Sequence, residues 1–147
     1  MRSRIIAVPL FALCVAVATG CSSDSSSDAK AEAPTKAEYI TSADNICKEL
    51  ETQFDEDTKD LDPSNEADLA DFKDAIVSGL REQLVKLRAL TPPEGDAQTV
   101  DAIYDEVEAG ADKIDNLSPD EIGQGDNPLE KADELATDYG MKECGSA

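Results

Sequence analysis

The sequence predicts an all-α protein, an antiparallel four-helix bundle that is closed by one disulfide and preceded by a disordered tether. Four stretches place apolar residues three and four positions apart, and none shows the alternation of a β-strand. Short connectors between such stretches favour antiparallel neighbours. Two cysteines within the predicted bundle account for the disulfide, and a serine-rich stretch before it accounts for the tether.

The chain opens with the pattern of a secretory signal peptide over residues 1–20. Its apolar run at 5–18 is shorter than the roughly 17–25 residues that a membrane-spanning helix needs. The junction Ala18–Cys21 reads Ala-Thr-Gly-Cys and resembles the lipobox of bacterial lipoproteins. That resemblance implies a diacylglyceryl group on Cys21. An ordinary secreted protein that is cleaved nearby is the alternative.

Residues 21–34 are predicted to link this anchor to the folded domain. Serine and aspartate dominate the stretch, and such a composition buries too little apolar surface to fold. Random-coil scaling gives a reach of about 20 Å for 13 such residues. The predicted division is therefore a signal peptide at 1–20, a lipid-anchored linker at 21–34 and a helical domain at 35–147.

The first predicted helix opens at Thr35, which forms a capping box with Glu38. Its pattern fades within residues 55–65. The apolar stripe of this helix consists of Tyr39, Ile40, Ala43, Ile46, Cys47, Leu50 and Phe54.

The second predicted helix is capped by Ser64 or Asn65 and is stopped by Pro92 and Pro93, because proline removes a donor and restricts the residue before it. Its stripe consists of Leu69, Phe72, Ile76, Leu80, Leu84, Leu87 and Leu90.

The third helix is predicted from about Ala97 to Leu117, and residues 118–128 are predicted to form a loop or a short extra turn. Its stripe consists of Val100, Ile103, Val107, Gly110, Ala111, Ile114 and Leu117. Pro128 suits the first position of a fourth helix, and Gly140 suits its C-terminal cap. The apolar face of this last helix consists of Leu129, Ala132, Leu135, Ala136 and Tyr139.

Acidic residues outnumber basic ones by 33 to 13, and removal of Arg2 and Arg4 with the signal peptide moves the formal charge from −20 to −22. Nucleic acid and anionic lipid surfaces would be repelled over the Debye length. Cations, cationic peptides and basic wall polymers are the ligands and partners that this charge favours. Solubility alone is the alternative reason for such acidity.

The chain contains no histidine, which excludes Ser-His and Cys-His nucleophile pairs, His-ligated haem and the common zinc and copper sites. The Glu-x-x-His motif of di-iron bundles is excluded for the same reason. Among 33 acids, a carboxylate pair at glycosidase spacing arises by chance and indicates nothing. We therefore predict that the protein is not an enzyme and carries no cofactor besides its lipid.

One stretch, residues 60–71, matches the oxygen-ligand spacing of an EF-hand. The side chains at loop positions 1, 3, 5, 9 and 12 are those of Asp60, Asp62, Ser64, Asp68 and Asp71. The stretch departs from the EF-hand pattern in Pro63, in Asn65 at the glycine position, and in an aspartate where glutamate is expected. A helix-capping turn is the alternative to a calcium site.

Counting the cysteines predicts one disulfide. Cys14 leaves with the signal peptide and Cys21 takes the lipid, so Cys47 and Cys144 are left to pair in an oxidising compartment. In an antiparallel bundle the fourth helix ends near the start of the first, which brings these two residues together. A reactive Cys47 nucleophile is the alternative, but no histidine is present to activate it.

Three short motifs, Ala43–Cys47, Leu87–Pro93 and Asp138–Gly145, make the domain similar to small, uncharacterised lipoproteins and secreted proteins of high-GC Gram-positive bacteria. This resemblance implies a disulfide-closed helical bundle and no particular activity. We expect a non-enzymatic domain on the extracytoplasmic face of the cell membrane that contacts another envelope protein. A lipoprotein that binds a cation or a small ligand is the alternative.

Overall fold

The computed structural model describes residues 32–62 and 64–145. This part of the chain is all-helical and contains no strand, which confirms the predicted fold class. Its elements in chain order are α1 (Lys36–Thr58), α2 (Glu66–Arg88), α3 (Ala97–Asp115), a 3-10 turn (Pro119–Glu121) and α4 (Glu130–Tyr139). None of these helices combines the length and apolarity that a membrane crossing requires. The predicted signal peptide, Cys21 and the tether as far as residue 31 lie outside the described residues, and residues 32–34 precede α1 without helical structure.

Helix α1 begins with the predicted capping box. The Thr35 hydroxyl accepts a hydrogen bond from the Glu38 backbone N–H at 3.3 Å, and the Glu38 carboxylate accepts from the Thr35 N–H at 2.9 Å. The Thr35 hydroxyl also donates to that carboxylate, and these bonds hold the pKa of Glu38 below its ordinary value. The capping box therefore satisfies the backbone donors of Thr35 and Glu38 at the start of α1.

Helix α2 is capped by Asn65, one of the two residues predicted, whose side-chain oxygen accepts from the Ala67 N–H at 3.1 Å. Helix α3 begins at Ala97 as predicted but ends at Asp115, two residues before the predicted Leu117. The Asn116 side chain donates to the Asp112 carbonyl at 2.7 Å and so supplies a donor to one of the last carbonyls of the helix.

Helix α4 begins at Glu130 and not at the predicted Pro128, because a tight turn precedes it. The Asn127 side chain accepts from the Leu129 N–H at 2.9 Å, and the Asn127 carbonyl accepts from the Glu130 N–H at 3.2 Å. The helix ends as predicted at Gly140, whose φ of 109° is left-handed and is accessible to glycine without steric cost.

Helix α2 lies between α1 and α3, and α4 packs against α3. We call the closed end the part where α1 and α3 begin, α2 and α4 end, and the tail 140–145 folds back. The loop end is the opposite part, formed by the connections 59–65 and 116–129. The main core cluster consists of Tyr39, Ala43, Cys47, Leu84, Leu87, Val100, Ile103, Tyr104, Ala136, Tyr139 and Met141, and it lies at the closed end.

The loop end is less deeply buried. Phe54 and Phe72 form an edge-to-face pair there, with ring centroids 5.4 Å apart, and both side chains are only half-buried. Helix α4 has ten residues against 19 in α3, so it covers only about half the length of the helix it packs against. The 3-10 turn Pro119–Glu121 contacts α2 in place of a fourth helix.

Candidate functional site

The predicted disulfide between Cys47 and Cys144 is present, with the two Cα atoms 5.2 Å apart across 97 positions of sequence. Beside it, the Asp44 carboxylate accepts backbone N–H groups of the tail, from Lys142 at 3.3 Å and from Glu143 at 3.1 Å. The tail therefore docks on α1 through one covalent bond and two charge-assisted hydrogen bonds.

Met141 anchors the same tail and is fully buried. At Gly145 an added Cβ would meet the Thr137 hydroxyl and the Asp133 carbonyl, so only glycine fits against α4 at this position. Between them these contacts place the tail in the seam between α1 and α4, which makes it part of the core.

All three tyrosines of the sequence converge at the closed end. The hydroxyls of Tyr39 and Tyr104 share a hydrogen bond, and the Tyr139 hydroxyl donates to the Asp96 carboxylate at 2.7 Å. The rings of Tyr39 and Tyr139 meet edge to face with centroids 6.3 Å apart, and the Lys36 ammonium lies 3.9 Å from the Tyr139 ring centroid. These contacts join α1, α3 and α4.

Burial raises the pKa of each of these three tyrosine hydroxyls above the ordinary value. At Tyr139 the neighbouring Asp96 carboxylate raises the pKa further, because a tyrosinate beside it would be repelled. The hydroxyls are therefore held neutral, as donors and acceptors of structural hydrogen bonds. The sequence placed Tyr39 and Tyr139 on apolar faces but missed Tyr104, although its place four residues after Val100 is a helical contact position.

The residues predicted as EF-hand ligands lie in the α1–α2 connection and the first turns of α2. Two of their carboxylates accept hydrogen bonds from backbone N–H groups. The Asp68 carboxylate accepts from the Asp62 N–H at 2.9 Å, and the Asp62 carboxylate accepts from the Ser64 N–H at 2.9 Å. Asp60 and Asp71 are exposed. Among the described residues, no three aspartate, glutamate or cysteine side chains are grouped to hold a metal ion. The described residues of this stretch make the hydrogen bonds of a helix-capping turn.

A shallow open groove of about 300 Å³ runs between α2 and α3. The Arg81 guanidinium bridges Asp112 and Asp115 at 3.2 and 2.8 Å. The Arg88 guanidinium bridges Asp105 and Glu108 at 3.1 and 2.8 Å. Between these two bridges the lining is apolar: Leu84 and Ala111 are buried at the floor, and the exposed Val85 stands beside them. This groove was not predictable from the sequence, because its residues come from two helices and hydrophobic periodicity does not specify which helix surfaces face each other.

Comparison of the chain with models of protein families, with curated proteins and with solved structures finds no match.

Proposed function

We propose that the protein is a non-enzymatic lipoprotein. In this proposal a diacylglyceryl group on Cys21 holds it on the extracytoplasmic face of the cell membrane, and its acidic bundle contacts another envelope component. The observation that carries the proposal is the Cys47–Cys144 disulfide, because such bonds form and persist in oxidising compartments. It pairs the only two cysteines beyond Cys21 in the sequence, in agreement with a lipobox cysteine that serves another purpose.

The distribution of charge supports the interaction part of this proposal. In the described part of the chain the core contains apolar side chains and tyrosines, and no charged side chain is buried. The acidic groups therefore stand on the outside of a covalently closed scaffold, where they attract cationic partners and repel anionic ones.

The anchor is tested by replacing Cys21 with alanine in a Gram-positive host. We expect the Cys21→Ala protein to appear in the medium or to persist as an uncleaved precursor, while wild type sediments with membranes. Cys14→Ala is the matched control, because it removes a signal-peptide cysteine and leaves the Ala18–Cys21 junction intact. Mass spectrometry of the N-terminal peptide should detect the diacylglyceryl group only when Cys21 is present. Mature Cys21→Ala protein that still fractionates with membranes would refute the anchor.

The interaction is tested separately, by crosslinking the native protein in intact cells and identifying what is captured. Repeated recovery of one envelope protein above its abundance supports the proposal. Recovery of neighbours in proportion to their abundance contradicts it.

A further inference from the structure

The α2–α3 groove is a face that the bundle leaves uncovered. Helix α1 packs against α2 and helix α4 packs against α3, and neither contributes a side chain to the lining of the groove. The lining residues of α2 are Arg81, Leu84, Val85 and Arg88, which follow the helical spacing of a single face. Both arginines are about half-exposed, at 52% and 46% of their side-chain surface.

Val85 stands at the centre of this face. It is 72% exposed and is the only large hydrophobic side chain so exposed among the described residues. A lone exposed valine needs no explanation by itself. Here, however, it continues an apolar floor that Leu84 and Ala111 form below it. The two arginines that flank it are seven positions apart, which is roughly 10 Å along the helix axis. Val85 lies between them and is the apolar surface that a partner would contact.

The charge of the groove indicates the kind of partner that it can bind. Four carboxylates stand in a row along α3. The two guanidiniums of the groove, together with the Lys73 ammonium that lies 3.1 Å from the Asp115 carbonyl oxygen, leave the row with a net negative charge. The row consists of Asp105, Glu108, Asp112 and Asp115. Its local excess of negative charge adds to the overall charge of −20. An acidic partner or a second copy of this chain would be repelled, whereas a basic segment would supply the missing cations.

We propose that the α2–α3 groove docks a basic amphipathic helix of an envelope partner. A third helix fits the furrow between two antiparallel helices, as ridges fit grooves in helix packing. An aliphatic side chain of the partner packs on Val85 and the floor, and a lysine or arginine one turn away bonds the α3 carboxylates. This inference rests on the interaction part of the proposed function and names the surface and the chemistry of the partner.

The probe is a synthetic 18-residue amphipathic peptide of leucine and lysine, compared with a scrambled peptide of the same composition. Binding to the mature chain is measured by calorimetry, and the contacted residues are mapped by NMR. We expect one peptide per chain, with shifts confined to α2 and α3. The scrambled peptide should bind roughly tenfold more weakly, because it presents no continuous apolar face.

Two variants address the two halves of the proposal. Val85→Ser should weaken binding roughly tenfold through lost apolar contact. The pair Glu108→Gln and Asp112→Asn should weaken it and reduce its salt dependence. The matched control is Glu49→Gln with Glu56→Gln on the outer face of α1, which removes the same charge from another acidic surface and should have little effect. Unchanged urea midpoints show that each variant is folded.

Equal weakening by the α1 and α3 pairs, with no effect of Val85→Ser, would show diffuse electrostatic attraction and overturn the proposal. Absence of saturable binding would overturn it as well. So would a concentration-dependent dimer that Val85→Ser abolishes, because the occupant would then be a second copy. The in-cell crosslinks separate the two proposals: crosslinks that persist in Val85→Ser reject the groove and retain the interaction module.

Discussion

At the closed end of the bundle, tyrosine hydroxyls, a disulfide and a buried methionine connect α1, α3, α4 and the tail, whereas the loop end is covered by half-buried side chains and polar caps. The closed end is where distant parts of the chain meet: Tyr39 bonds Tyr104, and Cys47 bonds Cys144. At the loop end most hydrogen bonds join residues within six positions of each other. Long-range contacts at the loop end are of another kind: Lys73 donates to the Asp115 and Leu117 carbonyls and Phe54 packs on Phe72, whereas the caps there are local.

The largest effect should come from removing the disulfide with Cys47→Ala and Cys144→Ala together. The bond closes a loop of nearly 100 residues, for which chain entropy gives a stabilisation of up to about 5 kcal/mol. Urea denaturation of the oxidised mature chain and of the variant measures the loss. Reduced wild type is the control and should match the variant. Two free thiols in the mass spectrum of unreduced protein, or a variant as stable as wild type, would contradict this account.

The second-largest effect should be a loss of unfolding free energy at alkaline pH, which originates at the closed end. Burial raises the pKa of Tyr39, Tyr104 and Tyr139 above 10.0, so the folded state holds these protons more tightly than the unfolded state does. Their contribution is complete below pH 10 and is lost as the pH rises beyond it. Each tyrosine should lower the free energy of unfolding by about 1.4 kcal/mol per pH unit above 10. Urea midpoints between pH 8 and 11 measure this slope.

Tyr104→Phe sharpens the same test. It should cost about 1–3 kcal/mol at neutral pH, because the buried Tyr39 hydroxyl loses its partner. It should also make the alkaline slope shallower. Absorbance at 295 nm should show tyrosinate only as the chain unfolds. Tyrosinate that forms in the folded protein near pH 10 would show that the hydroxyls are not held as described.

Helix caps offer a smaller and more local comparison of the two ends. Asn65→Ala at the loop end and Thr35→Ala at the closed end should each cost about 1 kcal/mol. Hydrogen exchange should differ between them. Amides of the first turn of α2 should exchange faster in Asn65→Ala. Beyond its first turn, α1 should stay protected in Thr35→Ala, since Tyr39 and Cys47 hold it to the rest of the core. If both helices lost amide protection to the same extent, the two ends would not differ in the way described.

The smallest expected effect concerns cations at the loop end. Millimolar calcium should raise the melting temperature modestly by screening the acidic surface, and magnesium should do the same. Asp60→Asn with Asp62→Asn should leave most of the shift intact. A shift that only calcium produces, and that this pair abolishes, would instead establish a specific site within residues 60–71.

Features encoded locally were predictable from the sequence. The capping box at Thr35, the cap at Asn65 and the glycine at 140 each depend on residues a few positions apart, and all three are present. The disulfide was predictable for another reason, because counting left a single pair and the antiparallel arrangement brought its members together.

Features that depend on the lengths and facing surfaces of helices were not predictable. Leu69, Phe72, Ile76 and Leu80 lie on the predicted apolar stripe of α2, yet they are only partly buried, since α4 packs against α3 and the 3-10 turn contacts α2 instead. The Tyr139–Asp96 bond spans 43 positions, and hydrophobic periodicity carries no information about such polar pairs. Met141 lies beyond the last helix, where no periodic pattern applies.

The cross-link also determines how the domain would carry a pulling force. A load applied at Thr35 can unwind only the first turns of α1 before it reaches Cys47. Beyond that residue the chain is a covalent ring, so tension toward a point such as Val85 divides between two arms, one through α1 and one through the tail and α4. Neither arm can extend unless the other extends as well. A weak segment in one arm therefore bears only part of the load. A domain that is held at its N-terminal side would therefore resist extension when a bound partner pulls on it.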